Sequence, residues 1–166
     1  MTESATEGNG MHTQKIDSVE QLDALLDGRD GVMATLANAS AFLNGLLPRI
    51  NWVGFYLLER GALRLGPFQG KPACVRIAAG QGVCGAAIAS NSTQRVADVR
   101  AFPGHIACDE ASRSELVTVL RDEAGMPIGV LDIDSPHPGR FSEEDARQME
   151  RAAEIISAKI RGAAEK

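Results

Sequence analysis

The sequence predicts an α+β sandwich, in which terminal helices pack together on one face of a central antiparallel sheet and loops roof the other. Three observations carry this reading. Apolar residues recur at helical spacing near both ends, in 17–46 and 141–160. Between them lie short segments rich in branched and aromatic residues. Turn signals such as Arg60-Gly61 and Asp122-Glu123-Ala124-Gly125-Met126 join several of these segments as hairpins. With 166 residues, 44% of them hydrophobic, the chain suits one substantial core. That core is expected within 15–166, after a small, polar and flexible tail at 1–14.

Each element has a local cause. From Asp17, Ser18 and Gln21 form a capping box ahead of Val19, Leu22, Leu25 and Leu26, which share one face of a short helix that stops near Gly28. Val32, Leu36, Ala39, Leu43 and Leu46 alternate at spacings of four and three, a seam suited to another helix, and Pro48 ends the run. Asn51 to Glu59 reads as a strand and turns at Arg60-Gly61 into a second, Ala62 to Gly66. After a loop at 67–73, a short strand is expected from Cys74 to Ile77. Gly80-Gln81-Gly82 leads into a small-residue helix, Val83 to Asn91. A strand follows at Gln94 to Asp98, then a long loop, Val99 to Ser114, whose length hints at function. Glu115 to Arg121 and Pro127 to Asp134 form the last hairpin. Ser142 with Asp145 starts a final helix whose Met149, Ala152, Ala153, Ile156 and Ile160 make one apolar stripe.

Charge excludes whole classes of partner. Seventeen basic against 22 acidic residues leave a net charge of −5, and no Lys/Arg cluster is dense enough to neutralise a phosphate backbone, so nucleic acid is not expected. No apolar run approaches the roughly 20 residues of a membrane span. The start, Met-Thr-Glu-Ser-Ala-Thr-Glu-Gly-Asn-Gly, has neither a basic region nor an apolar run, which points to a reducing cytoplasm rather than secretion.

The three cysteines are the chemical focus. Cys108 follows the turn signal Phe102-Pro103-Gly104 and precedes the polar run Asp109 to Ser114, which places it on exposed or half-exposed loop backbone. Cys74 and Cys84 also adjoin Gly- or Pro-containing loops. Cys84 falls in a first helical turn, where free N–H groups and the helix dipole lower a thiol pKa. The plain alternative for any one of them is a small, inert, buried residue. A structural zinc site is opposed by spacing: there is no C-x-x-C pair, and His12, His105 and His137 are scattered. The odd cysteine count argues against a permanent disulfide, and neither metal nor organic cofactor is expected. Three loop-associated thiols point to thiol–disulfide chemistry.

The carboxylates complete the candidate site. Asp132 and Asp134 lie two apart and share one face at the end of a strand, and Glu115 opens the strand before it. Pairing of that hairpin brings the three acids together beneath the Cys108 loop. Crowded like charges raise at least one carboxyl pKa, creating both a cation site and a proton donor. Those two properties suit an amino-acid substrate.

The stretches Asn-Trp-Val-Gly-Phe-Tyr-Leu, Leu-Gly-Pro-Phe-Gln-Gly-Lys-Pro-Ala-Cys, Gly-Gln-Gly-Val-Cys-Gly, Phe-Pro-Gly-His-Ile-Ala-Cys-Asp, Ser-Arg-Ser-Glu and Leu-Asp-Ile-Asp-Ser closely resemble the GAF-domain free methionine-(R)-sulfoxide reductases. The resemblance covers roughly Asp17 to Ile160. It implies a six-stranded antiparallel GAF sheet, a homodimer through the terminal helices, and reduction of free methionine-R-sulfoxide with recycling by a thioredoxin-like reductant. It further implies Cys108 as the catalytic cysteine, Cys74 as the principal resolving cysteine, hence a Cys74–Cys108 disulfide, and Cys84 as an auxiliary thiol. By the same resemblance Glu115, Asp132 and Asp134 bind substrate, and Trp52 and Tyr56 are aromatic walls of the pocket. Glu110 and Thr118 depart from the pattern, standing where small or apolar residues are commoner.

Two other functions use the same features. GAF domains are more often ligand-binding sensor modules than enzymes, a role that predicts companion signalling domains for which this chain has no room. A thiol-based oxidant sensor without substrate would use the same cysteines. His105 is read as shaping its loop.

Overall fold

The protein is described by a computed structural model covering residues 15–105 and 108–164. The tail expected at 1–14 lies outside the described residues. Six strands form one fully antiparallel sheet: β1 (Trp52–Glu59), β2 (Ala62–Gly70), β3 (Arg76–Ala78), β4 (Gln94–Val96), β5 (Ser114–Arg121) and β6 (Pro127–Ser135), in the spatial order β3-β2-β1-β6-β5-β4. The first and last long strands therefore lie side by side at the centre.

Alternation along these central strands decides what each face carries. Val53 and Phe55 of β1, Leu116 and Leu120 of β5, and Leu131 and Ile133 of β6 point to one side. There they meet α1 (Gln21–Leu25), α2 (Val32–Leu46) and α4 (Glu143–Ala164), whose Leu22, Leu36, Leu43, Met149 and Ile156 are completely buried. Trp52, Tyr56, Val117, Val119 and Val130 point to the other side, which packs on α3 (Gly82–Ser90) and the loops around it. The α+β sandwich and its GAF-like six-stranded sheet are thus present, with the terminal helices on one face.

The start of α4 follows from the capping chemistry in the sequence, whereas α1, α2 and α3 begin without a side-chain cap. Ser142 N–H donates to Asp145 Oδ2 at 2.7 Å and Asp145 N–H donates to Ser142 Oγ at 3.1 Å, a complete capping box before α4. At α1, Gln21 Oε1 accepts from Ser18 N–H at 3.2 Å, but the Ser18 hydroxyl accepts from Glu20 instead, and only five helical residues follow. Leu25, placed in the apolar face by periodicity, is 50% exposed because so short a helix turns only Val19, Leu22 and Leu26 inward.

Strands β2, β3 and β4 have boundaries that differ from the sequence reading, β4 ending at Val96 rather than Asp98. β2 runs on through Pro67 to Gly70 because those residues pair with Trp52, Val53 and Gly54 across a break in register between Gly54 and Tyr56. Pro67 is tolerated because it stands opposite that irregularity. β3 begins at Arg76, leaving Cys74 in the preceding loop, where it answers to side chains rather than to a strand ladder. The hairpin at Arg60-Gly61 uses positive φ at both residues, 50° and 77°, the geometry that matches strand twist.

Candidate functional site

The register of β1, β6 and β5 builds the site row by row. Trp52 pairs with Asp134, and Asp134 pairs with Glu115, so these three form one row across the sheet. The next row is Gly54, Asp132 and Val117. All these side chains stand on the face opposite α1, α2 and α4, so the strands that bury the main hydrophobic core also present the three acids. The lack of a side chain at Gly54 is required: a Cβ there would lie 2.3 Å from Phe68 Cβ and 2.7 Å from the Trp52 ring. That space lets Trp52 lie between Tyr56 and Phe68, stacked with centroids 6.0 and 5.3 Å away.

The aromatic pair does more than wall the cavity. Trp52 Nε1 donates to Lys71 O at 3.1 Å, and the Tyr56 hydroxyl donates to Cys74 O at 3.0 Å. Two side chains on one strand thereby hold the β2–β3 loop at both ends of 71–74. This loop meets the β4–β5 connection through a disulfide between Cys74 and Cys108, with Cα atoms 5.6 Å apart. The β4–β5 connection is itself anchored: Asn51 Nδ2 donates to Asp109 Oδ2 at 3.2 Å and to Ser112 Oγ at 3.1 Å, while Asp109 Oδ1 accepts from Ala111 N–H at 2.9 Å. Cys108 is partly buried.

One cavity brings these groups together. It is lined by Trp52, Tyr56, Cys84, Cys108, Glu115, Asp132 and Asp134, along with Lys71 to Ala73 on one side and Gln81 to Val83 at the start of α3. Every residue expected at the site except Cys74 lines it, and Cys74 is bonded to one that does. His105, Asp109 and Ser112 also line it, although no local pattern marked the last two as functional. Their placement depends on Asn51, 58 and 61 residues away in sequence, so only the fold could reveal it.

Burial sets the electrostatics. Glu115 and Asp132 are each 7% exposed. Loss of solvent, reinforced by the charges of Asp132 and Asp134, holds the Glu115 carboxyl well above the usual carboxylate range. Burial pushes Asp132 up to about 6. Asp134 is raised by burial and by the charges of Asp132 and Asp109. Burial and the charge of Asp132 raise the Tyr56 hydroxyl, and burial lowers His105. Oδ1 of Asp132 is buried without a hydrogen-bond partner among the described residues.

Cys84 corrects the sequence reading. It does sit in the first turn of α3, but it is buried against Glu115, with Sγ 4.0 Å from Oε1. Burial first, then the charges of Asp132, Glu115 and Asp134, raise its pKa well above the ordinary thiol value. The helix-terminal effect expected to lower it is a fraction of a charge, outweighed by desolvation and nearby carboxylates. This thiol is held protonated.

A model of the GAF domain matches residues 19–160 of the chain. The free methionine-R-sulfoxide reductase of Escherichia coli is 55% identical over 133 residues, which are 80% of this chain and 80% of the bacterial protein. Protein YtsP of Bacillus subtilis is 51% identical over 140 residues, 83% of this chain and 85% of its own length. Among solved structures, the free methionine-R-sulfoxide reductase from Neisseria meningitidis in complex with its substrate superposes with a TM-score of 0.82 at 41% identity, covering 89% of this chain and 88% of that one. The reduced form of the Staphylococcus aureus protein gives 0.81 at 49% identity, over 86% and 92%.

The raised carboxyl groups make stability depend on pH in a definite direction. An acid whose pKa is raised by folding contributes fully below its unfolded value, and that contribution is lost as pH rises through its folded value. For Asp132 the window runs from 3.8 to about 6. Asp132→Asn should therefore match the wild type near pH 4 and exceed it near pH 7 by on the order of 2 kcal/mol. Urea unfolding of the disulfide-bonded proteins across this range measures it, and a wild type that gains on the variant as pH rises would contradict the assignment.

Proposed function

The chain belongs to the GAF-domain family and, within it, to the free methionine-R-sulfoxide reductases; from that premise we propose that this enzyme reduces free methionine-R-sulfoxide through a cysteine sulfenic acid and a disulfide. The observation that carries the proposal is the Cys74–Cys108 bridge beside a cavity lined by two buried acids, Glu115 and Asp132, and the half-buried Asp134.

In the reduced protein the Cys108 thiolate attacks the sulfoxide sulfur. The sulfur–oxygen bond breaks as the oxygen passes to Cys108, and a proton is needed on that oxygen. Burial keeps a carboxyl such as Glu115 protonated where ordinary glutamate would be ionised, which makes it a proton donor. Methionine leaves and Cys108 is a sulfenic acid. The Cys74 thiol then attacks its sulfur, water departs, and the disulfide forms before further oxidation. A thioredoxin-like dithiol takes the disulfide by exchange, returning two electrons and two protons. Such a cycle needs a reducing compartment, which fits cytoplasmic residence. Among the described residues no helix is long and apolar enough to cross a membrane.

Recognition of a free amino acid follows from charge. The substrate ammonium is placed against Asp132, whose unpartnered Oδ1 accepts from it, and against Asp134 and Glu115. Trp52 and Tyr56 wall the thioether chain. The substrate carboxylate faces the N-terminal amides of α3 around Gly82 and Val83, which line the same cavity and lie at the positive end of the helix. Peptide-bound methionine has no ammonium, so its binding would leave the acids without a cation.

We propose the homodimer as well. α2 contains no charged residue along its 15 positions, and its outer face shows Ala34, Ala37, Ala41 and Met33, the last 68% exposed. A solvated helix of this length ordinarily carries charges on its outer face, whereas one covered by a second subunit does not.

Three outcomes follow. Free methionine-R-sulfoxide should be turned over with a kcat/KM about 100-fold or more above that of its N-acetyl derivative, and Asp132→Asn should lose a similar factor, since about 3 kcal/mol of buried charge pairing is removed in each case. Comparable rates on the two substrates would exclude the ammonium pocket. In single-turnover assays Cys108→Ser should release no methionine. Cys74→Ser should release about one per subunit and then stall with thioredoxin, because the sulfenic acid has lost its partner. Light scattering at micromolar concentration should return twice the chain mass, and Ala37→Lys should return the monomer.

A further inference from the structure

The thiol cycle leaves Cys84 without a defined task. It is the one free cysteine among the described residues, 3% exposed, and too deeply buried for ready exchange with a protein reductant. Its Sγ and one carboxylate oxygen each of Glu115 and Asp132 lie within 4.8 Å of one another. All three residues line the same cavity. Asp132 is more than nine-tenths buried, yet its Oδ1 has no partner among the described residues. Two carboxylates suffice to hold an ammonium ion by hydrogen bonds, and a thiol adds nothing to that task. It adds much for a cation that binds sulfur.

We propose that Cys84, Glu115 and Asp132 form a site for a thiophilic divalent cation, of which Zn2+ is the reference, and that the cation excludes the substrate ammonium and so inhibits the enzyme. Tetrahedral zinc with bonds of about 2.3 Å to sulfur and about 2.0–2.2 Å to oxygen separates its ligands by roughly 3.5 Å. The 4.0 Å between Cys84 Sγ and Glu115 Oε1 needs only a small contraction to reach this. One sulfur and two oxygens leave a fourth position for water or for Asp134, which is paired with Glu115 across the sheet. On binding, the Cys84 S–H bond and the Glu115 O–H bond break, both protons leave to solvent, and zinc–sulfur and zinc–oxygen bonds form with no change of oxidation state. The cation also offsets the repulsion among the crowded negative groups. Magnesium and calcium, which take six or more oxygen ligands, fit this set poorly.

Neither Cys74 nor Cys108 is a ligand, so the site is available in the disulfide-bonded protein, where Cys84 is the only thiol in the sequence left to react. Co2+ is the probe. Titration of the oxidised protein should give one equivalent with thiolate-to-cobalt charge-transfer absorption, abolished by added Zn2+ and lost in Cys84→Ser. Glu115→Gln, which keeps the thiol, should bind at least about tenfold more weakly. Cobalt bound without the thiolate band, or bound equally by both variants, would overturn the site. The inhibitory part rests on the function proposed above: Zn2+ should raise the KM for methionine sulfoxide without lowering kcat, and a fall in kcat at unchanged KM would overturn the competition. A protein that shows the cobalt band but reduces no methionine sulfoxide would refute the proposed function and leave the metal site standing.

Discussion

Three carboxyl groups are held within one small patch at the end of the central strands, largely out of water, and most of the molecule can be understood as what makes that tolerable. Each group would be more stable ionised in solvent, and each raises the others' pKa once buried. The opposing stabilisation lies on the reverse of the same strands. Phe55, Leu116, Leu131 and Ile133 are completely buried against α2 and α4, so the sheet cannot twist or slip to release the acids without dismantling the main core. Core and site are therefore coupled through strand register, not through any contact between them.

The same patch explains why two of the thiols differ so much from the third. Cys74 and Cys108 lie in loops tied down by side chains at specified points: Trp52 and Tyr56 for one, Asn51 for the other. Such loops keep two sulfur atoms within bonding reach while leaving both residues partly exposed. Cys84 lies against the acids themselves, and burial together with their charges raises its pKa well above the ordinary thiol value. Identical residues thus acquire different chemistry from their electrostatic surroundings. The helix-side core holds the fold together, and the disulfide joins two loops outside it.

Glycines and aromatic residues do the fitting. Gly54 stands between Trp52 and Phe68 so closely that any side chain would displace both, and Gly85 lets α3 approach Gly80, where a Cβ would lie 2.8 Å from the backbone. These contacts bring the start of α3 down over the acids. The unexpected length of β2 contributes too, since its last residues, Phe68 to Gly70, pair alongside Gly54, Val53 and Trp52. The β2–β3 loop therefore begins beside the site rather than at a distance from it.

Much of this was legible in the sequence, and for local reasons. Helix faces, the Ser142–Asp145 capping box, the two hairpins and the common face of Asp132 and Asp134 all depend on residues within a few positions of one another, so periodicity and turn chemistry determine them. The motifs around the three cysteines and the acids identified the family. What only the tertiary structure decided was everything dependent on long-range pairing: the place of Trp52 beside Asp134, the anchoring of Asp109 and Ser112 by Asn51, and the loop position of Cys74. The state of Cys84 belongs to the same class. A first-turn position says that a helix dipole is present, but the pKa is set by desolvation and by carboxylates 31 and more residues away, which become its neighbours only when the sheet has formed.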